Sequence, residues 1–177
     1  MDEGGVSIDA GAGECQERGW WVLYTKARQE KAVARELLGY EIPFYLPLVK
    51  KTMVYRRRRI VASIPLFAGY VFLYGSERER HRAWTTNRLS RVLTVADPDQ
   101  LWCDLRQLRR LIAAGAPLTL ESRLAPGNRV RVRRGPLVDM EGTVLSRRGQ
   151  TRLMISVNFL QQGASVEIDD FLLEPLT

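Results

Sequence analysis

The sequence is poor in the residues that build metal centres and disulfide frameworks. It contains two cysteines, Cys15 and Cys103, and one histidine, His81, and no CxxC pair occurs. A structural zinc site needs about four such ligands at short spacings, and a disulfide scaffold needs several cysteine pairs. The sequence therefore excludes a convincing zinc site and predicts a cytoplasmic protein without a cofactor.

Long hydrophobic runs are also missing. The longest uncharged run covers residues 60–76 and is interrupted by Pro65, Gly69 and Gly75. A membrane helix needs about 20 consecutive apolar residues, so this run is too short and too broken to be one. The first residues do not place a basic segment before an apolar one, as a signal peptide does. We therefore predict a soluble protein with no membrane partner.

No catalytic set emerges from the residue pattern. A Ser/His/Asp arrangement and a phosphate-binding glycine loop are both missing, and the sequence predicts that the protein is not an enzyme. The adjacent carboxylates of Asp169 and Asp170 could imitate the metal site of a nuclease. Such a pair in front of an apolar strand is more often a turn, and a metal-dependent nuclease is kept as a minor alternative.

Positive charge is what the sequence has in excess. Lysine and arginine number 27 against 20 acidic residues, for a net charge of +7, although residues 1–18 are acidic. No acidic residue lies between Ile42 and Ser76, a stretch that contains four consecutive arginines, Arg56, Arg57, Arg58 and Arg59. Basic segments bind nucleic acid by releasing counterions from phosphates. The same run also suits a solvated hairpin tip that keeps an edge strand soluble, and both interpretations stay open.

The first part of the chain predicts alternating strands and helices. Residues 1–19 are rich in glycine and acid and predict a disordered tail. A strand follows over residues 20–24, and a helix over residues 28–38 with Gly39 after its last turn. Residues 43–55 and the basic segment after them predict two strands joined by a loop.

Residues 64–74 predict one continuous strand that is apolar on both faces. Side chains of a strand alternate between faces, so Phe67, Val71 and Leu73 share one face. The other face is then formed by Leu66, Tyr70, Phe72 and Tyr74. A strand that closes a core needs only one such face. We therefore expect the second face to be covered by helices or by another molecule.

Local signals define the remaining elements. Ser76 and Glu79 have the spacing of a capping box and predict a helix over residues 77–86. A strand over residues 92–96 precedes a helix that begins at Pro98, carries the stripe Leu101, Leu105, Leu108 and Ile112, and ends at Gly115. The order predicts an α/β (α+β) fold with a mixed sheet flanked by helices. Residues 116–125 predict a linker, and the short strands beyond it predict a small all-β barrel.

Three segments together resemble one protein family. Residues 20–26, followed by a helix with Glu30 and Lys31, resemble the opening of NusG-type amino-terminal domains. Residues 65–72, PLFAGYVF, resemble the PLFPGYVF signature of those domains, with Ala68 in place of proline. The stretch from residue 126 to Val144 resembles a KOW motif, with Asp139 at a position that is usually glycine. Residues 156–161 and 166–169 are more similar to the specialised RfaH and UpxY paralogues.

The resemblance implies two domains and a role in transcription. Residues 20–115 would form the NusG-type amino-terminal domain, residues 116–125 the linker, and residues 126–177 an SH3-like KOW barrel. Such factors bind the clamp helices of RNA polymerase as monomers, increase processivity and act in elongation or antitermination. Their KOW domain recruits a ribosomal protein or Rho, and in some relatives it switches between strands and helices. Alternatives are a general housekeeping factor or a ribosome-associated RNA-binding protein.

The resemblance also implies which residues make these contacts. The polymerase-binding set is Phe67, Ala68, Tyr70 and Phe72, with Tyr24 as a neighbour, although several of these also suit a buried core. Non-template DNA or nascent RNA would be bound by Lys26, Arg28 and Arg88 and by the run from Arg56 to Arg59. In the KOW domain, Leu137 is predicted to contact the partner, because an apolar residue at a loop tip has no obvious role in a core.

Overall fold

The computed structural model describes residues 17–123 and 127–176. Most of the predicted tail, residues 1–16, lies outside these ranges. The chain divides into two compact units, the first ending at Pro98 and the second beginning at Asp99. This division differs from the predicted linker at residues 116–125, because the third helix belongs with the second unit. In the described ranges, no helix combines the length and the apolar character needed to cross a membrane.

The first unit contains a four-stranded antiparallel sheet, two helices and a hairpin. Its elements in chain order are β1 (Gly19–Thr25), α1 (Glu30–Gly39), β2 (Phe44–Tyr45), β3 (Leu48–Tyr55), β4 (Arg58–Pro65), β5 (Tyr70–Gly75), α2 (Glu77–Trp84) and β6 (Leu89–Thr94). The sheet has the order β2-β5-β1-β6, and each of its pairs is antiparallel. The predicted mixed sheet is therefore wrong in this detail. α2 connects two strands of the same direction, but β1 lies between them and is antiparallel to both.

The core of this unit lies between the sheet and the two helices. Leu23, Val71 and Leu73 on one sheet face pack with Val33 and Leu37 of α1. The spacing of four residues between Val33 and Leu37 places both on the same side of the helix, as predicted. The helix begins later than predicted and includes its last glycine as a helical residue. The left-handed residues lie outside it, at Arg28 with φ 60° and Glu41 with φ 57°.

Residues 64–74 are not one strand, which corrects the prediction. β4 ends at Pro65, and β5 begins at Tyr70. Between them the chain turns at Gly69, which has φ +85°, and Tyr70 N–H donates to the carbonyl of Phe67. Phe67 therefore belongs to a turn, and the alternation of faces that places it with Val71 does not apply.

The capping box in front of α2 is confirmed. The Ser76 hydroxyl accepts a hydrogen bond from Glu79 N–H, and the Glu79 carboxylate accepts one from Ser76 N–H at 2.7 Å. The reciprocal bonds satisfy two backbone donors that a helix start otherwise leaves without partners.

The second unit contains a six-stranded antiparallel sheet and α3 (Pro98–Ala113). The strands are β7 (Thr119–Glu121), β8 (Arg129–Val132), β9 (Glu141–Arg147), β10 (Gln150–Val157), β11 (Gln162–Glu167) and β12 (Leu173–Pro175), in the order β12-β8-β9-β10-β11-β7. The sheet confirms the predicted all-β region. β7 lies within the predicted linker, where three residues pair with β11.

Polar bonds connect α3 to the loops of this sheet. The Asp104 carboxylate accepts a hydrogen bond from Asn158 N–H at 2.8 Å, and Gln107 Oε1 accepts one from Glu141 N–H at 3.0 Å. Arg110 donates to the carbonyl of Val138 at 2.7 Å. α3 is therefore hydrogen-bonded to the rest of the second unit through residues 104–110.

Candidate functional site

Two tyrosines form an aromatic surface at one end of the first sheet. Tyr24 of β1 and Tyr70 of β5 are cross-strand partners, their ring centroids are 5.1 Å apart, and their planes are tilted by 51°. Tyr24 is 39% exposed, Tyr70 is half-buried, and Ala68 in the preceding turn is exposed. We call Tyr24, Ala68 and Tyr70 the tyrosine surface. It lies on the sheet face opposite the one that α1 covers.

The turn that carries Ala68 is held in place by its neighbours. The backbone N–H of Gly69 donates to the Glu30 carboxylate at 2.7 Å, and its carbonyl accepts from Thr25 N–H at 2.8 Å. A side chain at position 69 would place its Cβ 2.9 Å from Cε2 of Tyr24. Glycine is therefore needed at this position for both its positive φ and the space beside the Tyr24 ring.

Two predicted contact residues are buried instead. Phe67 is 1% exposed and Phe72 is 0% exposed. Phe72 lies in a central strand, in register with Val22 on one side and Tyr45 on the other, and both of these are also buried. Neither phenylalanine has surface to offer a partner. The structure places both in the core, and the predicted set reduces to the tyrosine surface.

The predicted basic residues near the first helix are only partly available. Lys26 is exposed, but its Nζ donates to the backbone carbonyl of Asn87 at 2.7 Å. The Arg88 guanidinium donates to Glu36 and to Gln29, each at 2.6 Å. Arg28 is exposed. Arg88 therefore fixes α1 to the start of β6, whereas Lys26 and Arg28 remain on the surface.

The four consecutive arginines lie at the tip of an exposed two-stranded hairpin. β3 and β4 pair along their whole length, from Leu48 opposite Pro65 to Tyr55 opposite Arg58. Arg56 and Arg57 form the turn with φ 47° and 62°, and the four arginines are exposed. Apolar residues between the charges are exposed too, with Val54 at 73% and Val61 at 63%. We call β3, β4 and their turn the basic hairpin.

Leu137 is buried, and the reason for proposing it as a contact residue is wrong. It is 7% exposed. Val138 N–H donates to the carbonyl of Gly135, and Asp139 N–H donates to the carbonyl of Val132 at 2.8 Å. Asp139 has φ 62°, so it adopts the left-handed conformation that glycine usually supplies.

The arginines of β8 are paired with an acidic neighbour. Arg131 donates to Glu141 at 2.6 Å, and Arg129 lies 3.6 Å from the same carboxylate. The hydrogen bond to Glu141 raises the pKa of the Arg131 guanidinium above its ordinary value. The positive charge of this strand is therefore partly neutralised.

Sequence reasoning missed the role of Glu30. Its side chain is 7% exposed, although its residue type is normally found on surfaces. The contact with Gly69 joins residues 39 positions apart, and no local pattern indicates it.

Across residues 17–123 and 127–176, no three His, Cys, Asp or Glu side chains are grouped as metal ligands.

Comparisons with known proteins identify the family. The family model described as "Transcription termination factor nusG" matches residues 18–113. Thermotoga maritima NusG, solved in a study of domain interaction, is 14% identical, with 91% of this chain and 98% of that chain covered and a TM-score of 0.48. A crystal structure of the MjSpt4:Spt5 complex is 9% identical, with 89% and 98% covered and a TM-score of 0.28. None of the curated proteins matches. The family model matches more than half of this chain, so the chain belongs to the NusG family of transcription factors.

Proposed function

We propose that the protein is an elongation factor that binds RNA polymerase through the tyrosine surface. The observation that carries the proposal is the pairing of exposed Tyr24 with half-buried Tyr70 beside exposed Ala68. The resemblance of residues 65–72 to the family signature supports the clamp helices as the partner. Binding there would hold the polymerase clamp closed around nucleic acid and increase processivity.

The physical properties of this surface suit a protein partner. Tyrosine has two side-chain torsions, so it loses little conformational entropy when it is covered, and its ring buries a large area. Aromatic residues near the centre of an interface commonly cost about 2 kcal/mol or more when truncated. The backbone around Gly69 is already fixed by Glu30 and Thr25, so little ordering is needed on binding.

A direct binding measurement tests the proposal. We expect the double variant Tyr24→Ala/Tyr70→Ala to bind bacterial core RNA polymerase at least about 30-fold more weakly than the wild type. Leu38→Ala is the matched control, because Leu38 is 59% exposed on α1, which covers the other face of the sheet. Unfolding curves of each variant show whether weaker binding comes from the missing side chains or from loss of the folded structure. Unchanged affinity of a folded double variant would contradict the proposal.

Nucleic acid contacts belong to the same proposal. The exposed arginines of the basic hairpin, with Lys26 and Arg28, supply positive charge without acidic residues among residues 43–75. Phosphate contacts need charge rather than precise spacing, so this arrangement supports binding of DNA or RNA backbone. We propose non-template DNA or nascent RNA as the ligand, and an antitermination role of the RfaH or UpxY kind in the cytoplasm.

For the C-terminal region we propose a KOW domain over residues 126–177 that recruits a further partner. Five strands of the sheet, β8 to β12, lie in this range and support the assignment, and Asp139 has the positive φ that glycine would adopt at its position. A small-subunit ribosomal protein or Rho is the proposed partner. Because Leu137 is buried, exposed Val138 in the same loop becomes the better contact residue. Loss of partner binding in Val138→Asp, with the fold retained, is the expected result.

A ribosome-associated RNA-binding protein is the second candidate, and the basic hairpin is what favours it. Co-purification distinguishes the two. Polymerase in the eluate of tagged wild-type protein, and its loss from the double tyrosine variant, supports the elongation factor. Ribosomal particles that persist when both tyrosines are removed support the second candidate.

A further inference from the structure

We infer that Glu30 is a positioning residue of the tyrosine surface. It would act through the turn at residues 66–69, holding it so that Ala68 and Tyr70 lie beside Tyr24 in the arrangement that binds. The inference rests on the proposed polymerase-binding function. It assigns to a buried acidic residue of α1 a role in a surface that it does not itself reach.

The geometry connects Glu30 to the surface in one step. Glu30 is the first residue of α1 and is 7% exposed, and its Oε1 lies 2.7 Å from the backbone nitrogen of Gly69. Gly69 separates Ala68 from Tyr70, and its backbone lies against the ring of Tyr24. Movement of this one peptide would therefore displace its neighbours Ala68 and Tyr70 and change their packing against the ring of Tyr24.

The chemistry of the bond suits a fixed anchor. A carboxylate that accepts from a backbone N–H makes a short, strong hydrogen bond, and burial strengthens it further by excluding water. At the first turn of a helix the negative charge is also favoured by the helix dipole. The other backbone bonds of the turn go to other elements, since the carbonyl of Gly69 accepts from Thr25 of β1 and Leu66 N–H donates to the carbonyl of Pro47.

A purely structural role for Glu30 predicts different behaviour. If the carboxylate only stabilised α1, its removal would lower stability and leave the affinity of the folded protein unchanged. A positioning role instead weakens binding in protein that is fully folded. The structural role and the positioning role therefore predict different polymerase affinities when binding is measured well below the unfolding temperature of the variant.

The test compares Glu30→Ala and Glu30→Gln in the full chain. Affinity for core RNA polymerase without nucleic acid is measured at a temperature where both variants are folded, together with hydrogen exchange of the Gly69 amide. We expect Glu30→Ala to bind about tenfold more weakly and to exchange this amide faster. Glu30→Gln keeps an acceptor oxygen, and we expect it to bind within about threefold of the wild type.

Lys31→Met provides the matched control. Lys31 is the next residue of α1, and its Nζ donates to the carbonyl of Ser63 in the basic hairpin rather than to the turn. We expect its affinity for nucleic-acid-free polymerase to equal that of the wild type. Wild-type affinity of Glu30→Ala, with Tyr24→Ala/Tyr70→Ala still weakened, would overturn the positioning role alone. If Glu30→Ala and Tyr24→Ala/Tyr70→Ala both bound polymerase as tightly as the wild type, the proposed binding through the tyrosine surface would be wrong as well.

Discussion

The carboxylate of Asp104 in α3 accepts hydrogen bonds from Asn158, 54 residues further along the chain. Its Oδ2 lies 2.8 Å from the backbone nitrogen of Asn158 and 3.2 Å from its Nδ2, and Asp104 is 3% exposed. Asn158 begins the short 3-10 turn between β10 and β11. A single buried acid thus joins the helix to the C-terminal sheet, at the point where two of its strands are connected.

We predict that Asp104→Ala lowers the free energy of unfolding of the second unit by about 2 kcal/mol. The substitution leaves donors of Asn158 without their acceptor, and a lost hydrogen bond to a charged group costs about 1.5–3 kcal/mol. Urea unfolding followed by circular dichroism measures the change. Asp99→Ala, an exposed acid in the first turn of the same helix, is the control and should cost about 0.5 kcal/mol. Equal stability of Asp104→Ala and wild type would show that the bonds between Asp104 and Asn158 do not stabilise this unit.

The capping box predicts a pH dependence of stability. Burial raises the pKa of the Glu79 carboxyl, but the bonds from Ser76 and Arg18 outweigh it and hold the pKa below its ordinary value. A carboxyl with a lowered folded-state pKa stabilises the fold at pH values above its unfolded pKa of about 4.3. That contribution is lost as the pH falls through the lowered value.

We therefore expect Glu79→Gln to be less stable than the wild type at pH 7, and the difference to shrink as the pH falls toward 3. Urea unfolding at pH 7, 5, 4 and 3 gives the difference directly. Glu41→Gln, a substitution of an exposed carboxylate, corrects for the change in net charge. A difference between Glu79→Gln and wild type that stays constant over this range contradicts the role of Glu79.

Elements defined by local signals could be predicted from the sequence. Ser76 and Glu79 are three residues apart, and their bonds form wherever a helix starts between them. Pro98 marks the start of α3 in the same way, because its fixed φ suits a first helical position. The turn at residues 66–69 could not be predicted, because Leu66 and Phe67 are buried there and an apolar run does not distinguish a buried turn from a strand.

The candidate site was predicted in part, for a related reason. The resemblance identified the segment with Ala68 and Tyr70, and strand alternation placed Tyr70 and Phe72 on the same face. Whether a residue of that face is exposed depends on its neighbours in other strands, which pair Phe72 with Val22 and Tyr45. The role of Glu30 could not be predicted, because its contact with Gly69 exists only after α1 and the turn have folded together.

Asp139 offers a test of backbone strain in the loop after β8. It occupies a left-handed conformation with φ 62°, which costs an ordinary residue roughly 1–2 kcal/mol and glycine nothing. We expect Asp139→Val to lower the free energy of unfolding by about 1–2 kcal/mol, whereas Asp139→Gly should match the wild type within about 1 kcal/mol. Thermal and urea unfolding measure both. If valine were tolerated as well as glycine, the left-handed conformation would not be required there.

The basic hairpin makes a quantitative prediction about salt. Each phosphate contact with a single strand contributes about −0.7 to the slope of log affinity against log salt concentration. If Arg58 and Arg59 each contact a phosphate, Arg58→Ala/Arg59→Ala should make the slope less steep by about 1.4. Fluorescence anisotropy with a labelled single-stranded DNA or RNA at a series of KCl concentrations measures it. Arg106→Ala/Arg109→Ala removes the same charge from exposed positions of α3 and should leave the slope nearly unchanged. Equal slopes for both double variants would mean that the hairpin tip is only a solvated surface, because lost net charge alone would then explain any weaker binding.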